Sequence, residues 1–524
     1  MNNRILNLFY LFLIIILFNF QCNIKKNPEI NSTQNLQNDS SNQHNNYIKE
    51  NNNDDILIQS FLGNATRNYY GNIPPSKIDL IWKCYIGGGK SKMPKKNESG
   101  VFHYGAGWTG QPILLKDKGK LYILQGSYDH NLRKIDAETG EVIWKYKFDD
   151  AIKGTGSIWY NSKPRDEKER IVIIQGSRQG VNLFIHSKFI YSLRGISAIS
   201  GEELYRINVE NTPSYSRDVD ASALIVNDTA YIGLENGIFL VFNPDPQYAR
   251  KVDNHYEPEI IHTIKLYTNK DILIRGGHII TEGSPSLIGR DIYIAAGSGY
   301  VYKYNIDEKN INWEYYIGSD LDGTCTVTSD SCILVSIEKQ FIQGNGGMLK
   351  LNPNKNPTEC VEWFFPTNNK TFISWMGGVI GSAAVNDNYL SNKDRRNLAA
   401  FSAIDGNLYV IDYKKVDSTK LVKGFDNKTN FYKPELIFKY SIGPSISTPI
   451  IFADKLIACG YGGIYLFDYN DKLEFTLIDK KNLCFEATPI VWNKKVFVAA
   501  KDGYLYCFGE KNFDICLIKQ TNVN

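Results

Sequence analysis

The 524-residue chain contains no adjacent cysteine pair, no CxxC, no HExxH and no GxxxxGK[ST] stretch. These absences remove the common zinc-ribbon, zincin and P-loop readings. Its seven histidines are scattered, so no cluster suggests a metal centre or a catalytic dyad, and His103, His186 and His278 read as structural or surface residues. Excess charge of one sign is missing as well. Basic residues number 59 and acidic residues 56, which excludes a protein built to neutralise a phosphate backbone. Methionine is scarce, at 4 residues, while Gly reaches 42, Tyr 33 and Phe 26. That balance favours strands and tight turns over helices.

The apolar run at residues 8–18 is 11 residues long, too short for the roughly 20 of a spanning helix. Preceded by Arg4, it suits the apolar region of an export signal. Cys22 follows closely, and a Cys in that place resembles the lipid-attachment site of bacterial lipoproteins. Asn19 and Gln21 depart from the usual lipobox, which carries Leu and a small residue there. An ordinary secretory signal with an incidental Cys22, or an uncleaved anchor, are the alternatives. Nine of the 24 residues from 31 to 54 are Asn, a composition that cannot offset its ordering entropy. Residues 1–22 are therefore expected to be a signal peptide and 23–77 a disordered tether. Lipidation at Cys22 would place the protein on a membrane face of the cell envelope. The other eight cysteines show no disulfide framework and are expected as buried thiols.

From residue 78 the chain repeats itself. Clear copies of one unit occupy residues 111–148, 284–318, 448–470 and 488–508, and weaker ones begin near Gly154, Asp220, Gly323 and Gly378. Pro112, Pro285, Pro449 and Pro489 stand at the start of first strands, where a missing N–H does no harm. Asn236-Gly237, Ser298-Gly299, Asp405-Gly406, Gly462-Gly463 and Asp502-Gly503 supply hairpin turns between second and third strands. Trp144, Trp313 and Trp363 recur on the fourth strand, with Tyr205 and Phe438 in equivalent places. Four strands repeated eight times predict an all-β, eight-bladed propeller of four-stranded antiparallel blades over residues 78–510, followed by a tail at 511–524. Surplus length falls near 178–190, 246–278, 387–397 and 414–434. Residues 78–87 carry Trp82 in the fourth-strand place with no strand before them. They are expected to complete the last blade and close the ring; closure by residues 513–519 is the alternative.

The stretch Ile135-Asp136-Ala137-Glu138-Thr139-Gly140-Glu141 with Trp144, and Ala198-Ile199-Ser200-Gly201-Glu202 with Tyr205, resembles the PQQ-like propeller repeat. The resemblance implies two branches. Quinoprotein alcohol dehydrogenases hold pyrroloquinoline quinone and calcium in the central funnel, beside a disulfide between adjacent cysteines, which this chain cannot make. The non-enzymatic branch, similar to the BamB-type lipoproteins of outer-membrane protein assembly, implies a scaffold. The expectation is a non-catalytic binding or scaffolding propeller without a cofactor. Its expected partner is a protein or peptide in the cell envelope, reached from a membrane through the lipid anchor. Nucleic acid is not expected, and the propeller itself is expected to be monomeric. A quinone-dependent periplasmic dehydrogenase and a small-ligand sensor are the alternatives.

Segments entering each first strand should converge on the axis. Their small residues satisfy packing. Trp108, Arg217, Asp218, Asp220, Arg275, Asp320 and Trp375 are the candidate ligand contacts, a mixed-charge funnel with aromatic walls suited to a peptide or small polar ligand. Arg217 and Arg275 are expected to hold a carboxylate or phosphate by paired hydrogen bonds. Internal ion pairs are the competing account of these charges.

Overall fold

The computed structural model describes residues 55–91, 102–390 and 395–511. The expected signal segment, Cys22, the Asn-rich stretch and residues 513–519 lie outside the described residues. Among the described residues eight antiparallel blades follow one another along the chain, seven of four strands and one of four strands joined by a fifth. Blade 1 runs through Ile113–Asp117, Lys120–Gly126, Asn131–Asp136 and Val142–Lys147. Blades 2 to 7 begin at the inner strands Ser157–Tyr160, Leu224–Val226, Ser286–Ile288, Thr326–Val327, Ala384–Val385 and Ile450–Ile451. Blade 8 contributes Ile490–Trp492, Lys495–Ala499 and Tyr504–Gly509, and the N-terminal strand Asp79–Tyr85 is its outer member. Trp82 pairs with Cys507 and Cys84 with Leu505 across that seam, so the ring closes as the lone fourth strand predicted.

The recurring tryptophan docks four of the blades to the next. Trp82 Nε1 donates to Ala137 O at 3.2 Å, Trp144 to Ala198 O at 3.3 Å, Trp313 to Lys355 O at 3.0 Å and Trp363 to Tyr413 O at 2.9 Å. Ala137, Ala198 and Lys355 lie in or beside the third-to-fourth strand connection of the following blade, and Tyr413 lies on the third strand of blade 6. The Thr-Gly of the repeat is explained by the same contact. Gly140 (φ +77°) and Gly201 (φ +76°) lie under these indoles, where a Cβ would come within 2.7 Å of Trp82 and 2.8 Å of Trp144. Tyr205 and Phe438 lack an indole N–H and instead meet Phe242 at 6.4 Å and Phe475 at 4.5 Å, ring to ring, in the next blade.

At the axis, hydroxyl groups tie the blades together. Backbone N–H groups of Ser222, Ser284, Thr324 and Ser382 donate to the side chains of Ser284, Thr324, Ser382 and Thr448, each at 2.9 Å. Thr448 N continues to Thr488 Oγ1 at 3.2 Å, and Thr488 Oγ1 to Trp108 O at 3.3 Å. The Ser/Thr-Pro at the head of several repeats is the sequence trace of this belt. The hydroxyl satisfies the neighbour's amide, and the proline starts the inner strand.

The tether expected to run through residue 77 gives way to packed structure by Asp55. Ile56–Ile58 adds a fifth strand inside blade 1. The following segment crosses the axis and bonds to inner strands around the ring. Gln59 O accepts from Ile158 N at 2.9 Å, Ala65 O from Leu287 N at 2.9 Å, Thr66 O from Val327 N at 3.1 Å and Tyr70 O from Val491 N at 2.9 Å. Phe61, Leu62, Arg67 and Tyr70 are fully buried. Arg67 donates to Pro285 O, Ser60 Oγ, Phe61 O and Ser222 O at 2.7–3.0 Å. This segment is a plug. Lys494 N donates to Ile73 O at 2.8 Å, at a first-to-second strand turn. That places the plug at the end carrying the first-to-second and third-to-fourth connections.

Strand alternation sends the other connections, into the first strand and between second and third, to the opposite end, called here the funnel end. Of the expected insertions, 178–190 lies there. The 246–278 stretch is mostly regular structure: a hairpin of Arg250–Val252 and His255–Glu257, the outer strand Ile260–Lys265 of blade 3, and the short helix Asn269–Arg275 at the funnel end. Residues 414–434 extend a blade-6 hairpin formed by Asn407–Lys423 and Asn430–Ser441. Seven cysteines, Cys84, Cys325, Cys332, Cys360, Cys459, Cys484 and Cys507, are free thiols. Among the described residues no helix is long and apolar enough to cross a membrane.

Candidate functional site

Beneath the funnel end, on the side of blades 2 to 4, lies a cavity of about 90 Å³, lined by Lys153, Arg178, Gln179, Tyr215, Ser216, Asp218, Glu235 and Glu282. Lys153 and Glu282 come from segments entering first strands. Glu235 stands one residue before the Asn-Gly hairpin turn of blade 3. Arg178 and Gln179 begin the 178–190 loop. Different blades thus bring these charges together because their loops share one end of the ring.

The ammonium of Lys153 stands among carboxylates. It pairs with Asp220, lies 3.5 Å from Glu282 Oε1 and 3.9 Å from Glu235 Oε1. Burial works against its charge, yet Asp220, Glu235 and Glu282 overcome that and hold its pKa well above lysine's usual value. Arg178 Nε donates to Asp218 Oδ2 at 2.8 Å, and Gln179 N to Asp218 Oδ1 at 2.9 Å. Ser216 Oγ donates to Glu235 Oε2 at 2.5 Å. Glu235 Oε1 and Asp220 Oδ1 are buried without a hydrogen-bond donor, while Asp220 Oδ2 faces the Lys153 ammonium. Burial pushes the Asp220 carboxyl up to about 6, with the charges of Glu282 and Asp218 adding to the effect. Burial, reinforced by Asp220, raises Glu235 well above the carboxylate range.

A second acidic group adjoins the first. Asp320, Asp322 and Glu338, from blade 5, are buried, and the Asp322 and Glu338 side chains share a hydrogen bond. Burial raises Asp320 and Asp322 well above the usual carboxylate range and Glu338 to about 7. An aromatic strip runs beside them. Tyr215 meets His278 at 4.6 Å and His278 meets Phe341 at 5.5 Å, centroid to centroid.

The far side of the funnel, from blades 1, 6 and 7, is apolar. Trp108 packs with Ile380, Ile404 and Ile446, and with Phe372 and the half-buried Trp375. Nearby, Lys501 Nζ meets Glu486 Oε1 at 2.7 Å. The seven residues expected at the funnel therefore separate. Asp218 and Asp220 belong to the charged cavity, and Asp320 to the neighbouring acidic group. Trp108 and Trp375 form an apolar wall.

The two arginines do not make the expected anion fork. Arg217 turns away from Asp218 and Asp220 and donates to Val209 O at 2.6 Å, Ile185 O at 2.8 Å and Ser187 O at 2.6 Å. Arg275 donates to Gly297 O at 2.8 Å and Ser319 O at 3.4 Å, with its guanidinium carbon 4.9 Å from the Phe341 ring centre. Arg217 is held by three backbone carbonyls and Asn208 Oδ1, and Arg275 commits Nη1 to two carbonyls, so the site is acidic where an anion receptor was expected. Sequence reasoning missed Lys153, Arg178, Tyr215, Glu235, Glu282 and Glu338 as site residues. Their one signal was position beside turn or strand-entry motifs, such as Glu235 before Asn236-Gly237 and Glu282 before Ser284-Pro285.

No family model and no curated protein matches the chain. Solved structures do. The chain is similar to a europium-containing methanol dehydrogenase, with TM-score 0.52 and 11% identity over 88% of this chain and 100% of that one. It is also similar to BamB from Moraxella catarrhalis, with TM-score 0.47 and 12% identity over 76% and 94%. A third is the computationally designed Ika8 protein, with TM-score 0.43 and 10% identity over 78% and 100%. At such identities the likeness establishes fold alone. With the blade count, that fold is an eight-bladed β-propeller of antiparallel sheets.

The quinone and calcium of the dehydrogenase branch do not fit these residues. Asp220, Glu235 and Glu282 could gather around a metal ion, but the Lys153 ammonium already stands among them. The cavity, about 90 Å³, also falls well below the roughly 300 Å³ at which small-molecule pockets begin.

Proposed function

We propose that this protein is an exported, non-catalytic binding propeller, held at a membrane by lipid on Cys22. It recognises a protein partner of the cell envelope through its funnel end, as a scaffold in outer-membrane protein assembly or a related task. The observation that carries this reading is the difference between the two ends of the ring. The plug fills one end. At the other, loops present exposed apolar side chains around the acidic cavity, among them Phe102, Phe184, Leu273, Phe341, Ile373 and Met376. Leu273 is 86% and Ile373 67% exposed. Exposed apolar groups rimmed by charge mark interaction surfaces.

The test is capture of partners from detergent-solubilised membranes, with the wild type beside a Leu273→Asp, Ile373→Asp double variant. Loss of captured envelope proteins at unchanged melting temperature supports the funnel end as the docking face. Capture of the same proteins by both forms moves the interface elsewhere. Cys22→Ser tests the anchor separately: it should release the protein from membranes and abolish labelling by a clickable fatty acid.

A further inference from the structure

We infer that the cavity between blades 2, 3 and 4 is a recognition site for an alkylammonium group, seated between Glu235 and Glu282. This rests on the reading of the funnel end as the binding face, and names the chemistry that face would take.

The argument begins with charge pairing. Four carboxylates, Asp218, Asp220, Glu235 and Glu282, surround two cations, Lys153 and Arg178. Arg178 is engaged by Asp218 at 2.8 Å and Lys153 by Asp220. Glu235 has Ser216 on Oε2, and of the two cations Glu235 and Glu282 meet only Lys153, at 3.9 and 3.5 Å. Glu235 is 3% exposed, and its Oε1 has no hydrogen-bond donor although it lines the cavity. A buried polar atom of that kind costs free energy unless a partner arrives.

The form of the missing cation follows from the space. A cavity of about 90 Å³ has room for an ammonium head and the end of its alkyl chain. An ammonium offers three donors, and Glu235, Glu282 and Tyr215 are among the residues that line the cavity. A planar guanidinium is wider and needs paired acceptors in one plane. A divalent ion would meet twice the repulsion from Lys153. The aromatic strip Tyr215–His278–Phe341 gives the alkyl stem an apolar path and favours a cation over its faces.

Two sources carry this chemistry, a lysine side chain of a partner and a free polyamine. The probes are therefore Nα-acetyl-lysine methylamide, spermidine, and as a neutral control the Nε-acetylated lysine derivative. Binding to the full-length protein is followed by calorimetry and by melting temperature. Saturable binding of an ammonium probe, absent for the acetylated control and at least tenfold weaker in both Glu235→Gln and Glu282→Gln, supports the site. Because Glu235 is buried, Glu282→Gln, at a side chain 12% exposed, keeps the test meaningful if the first variant melts early. Tighter binding of the lysine derivative than of spermidine assigns a peptide source, and the reverse a polyamine. Absence of binding at 10 mM (~100 times a 0.1 mM Kd, enough to saturate), or equal binding in both variants, overturns the proposal. Calcium binding in place of the ammonium probes also overturns it. Partner capture through Leu273 and Ile373 survives any of these failures, so the two readings fail separately.

Discussion

Trp82 and Gly140 meet across the seam where the ring closes. The indole N–H donates to Ala137 O at 3.2 Å, and its six-membered ring lies where a Cβ on Gly140 would stand, 2.7 Å from Cε3. One contact thus joins the first strand of the ring to the blade after it.

This contact predicts a measurable coupling. Trp82 is half-buried, so Trp82→Ala should cost about 2 kcal/mol, below the 3–5 of a fully buried ring. Gly140→Ala should cost about 1–2 kcal/mol from its left-handed backbone alone, and more from collision with the indole. In the double variant that collision disappears, so the two costs should add to more than the double variant shows, by at least about 0.5 kcal/mol. Urea unfolding of the four proteins measures it, and strict additivity would remove the docking contact from the account.

The repeat was legible because it depends on local pairs at fixed spacing: Thr139-Gly140 with Trp144, Ser284-Pro285, Asn236-Gly237. Each is a short-range solution to a packing or turn problem. The plug was not, because Asn-rich composition up to residue 54 hides the change at Ile56, and what Phe61, Leu62 and Arg67 touch is supplied by blades hundreds of residues away. The site was half legible for a related reason. Asp218 and Asp220 stood out as neighbours in sequence, but Lys153, Glu235 and Glu282 come from separate blades and meet only when the ring closes. Arg217 looked like part of that cluster, and only its carbonyl partners reveal that it faces the other way.

The plug gives a second prediction. Arg67→Met leaves Pro285 O, Phe61 O, Ser222 O and Ser60 Oγ without their buried donor. Leaving buried acceptors without a donor costs about 1–3 kcal/mol each, so the variant should lose at least about 3 kcal/mol. Deleting residues 1–54 should leave the melting temperature of the ring almost unchanged, whereas deletion through residue 73 should lower it by at least as much as Arg67→Met. Equal melting of the two truncations would mean that the segment from Asp55 does not support the ring.

Arg217 gives a third. Its guanidinium holds Ile185 O and Ser187 O in the 178–190 loop. Arg217→Ala should raise proteolytic cleavage within 178–190 and lower stability by about 1–3 kcal/mol, the cost of unsatisfied buried acceptors. Arg217→Lys should rescue little, since one ammonium cannot reach the same spread of carbonyls. The readout is the cleavage map under limiting protease. Unchanged cleavage in both variants would mean the loop is held by other contacts.

The last prediction concerns pH. Glu338 is buried beside Asp320, Asp322 and Glu282, with Arg275 as the nearby cation, and burial raises its pKa to about 7. An acid raised in the folded state binds its proton more tightly there than in the unfolded chain. Its contribution is therefore fully present below the unfolded value of about 4.3 and is lost as pH rises through about 7. Carboxylates lowered by partners work in the opposite sense at more acid pH. Hydrogen bonds and charge from Lys134 and Arg170 outweigh burial at Asp117, and those from Lys350 and Thr328 do so at Asp330. Stability should accordingly decline between about pH 5 and 8 in the wild type. Glu338→Gln keeps the shape and a hydrogen bond to Asp322 but cannot ionise. It should match the wild type near pH 5 and exceed it at pH 8 by about 1–3 kcal/mol, with the acid limb below pH 4 unchanged. Melting curves across that range decide the matter: parallel profiles for the two proteins would show that Glu338 does not titrate in the buried acidic group.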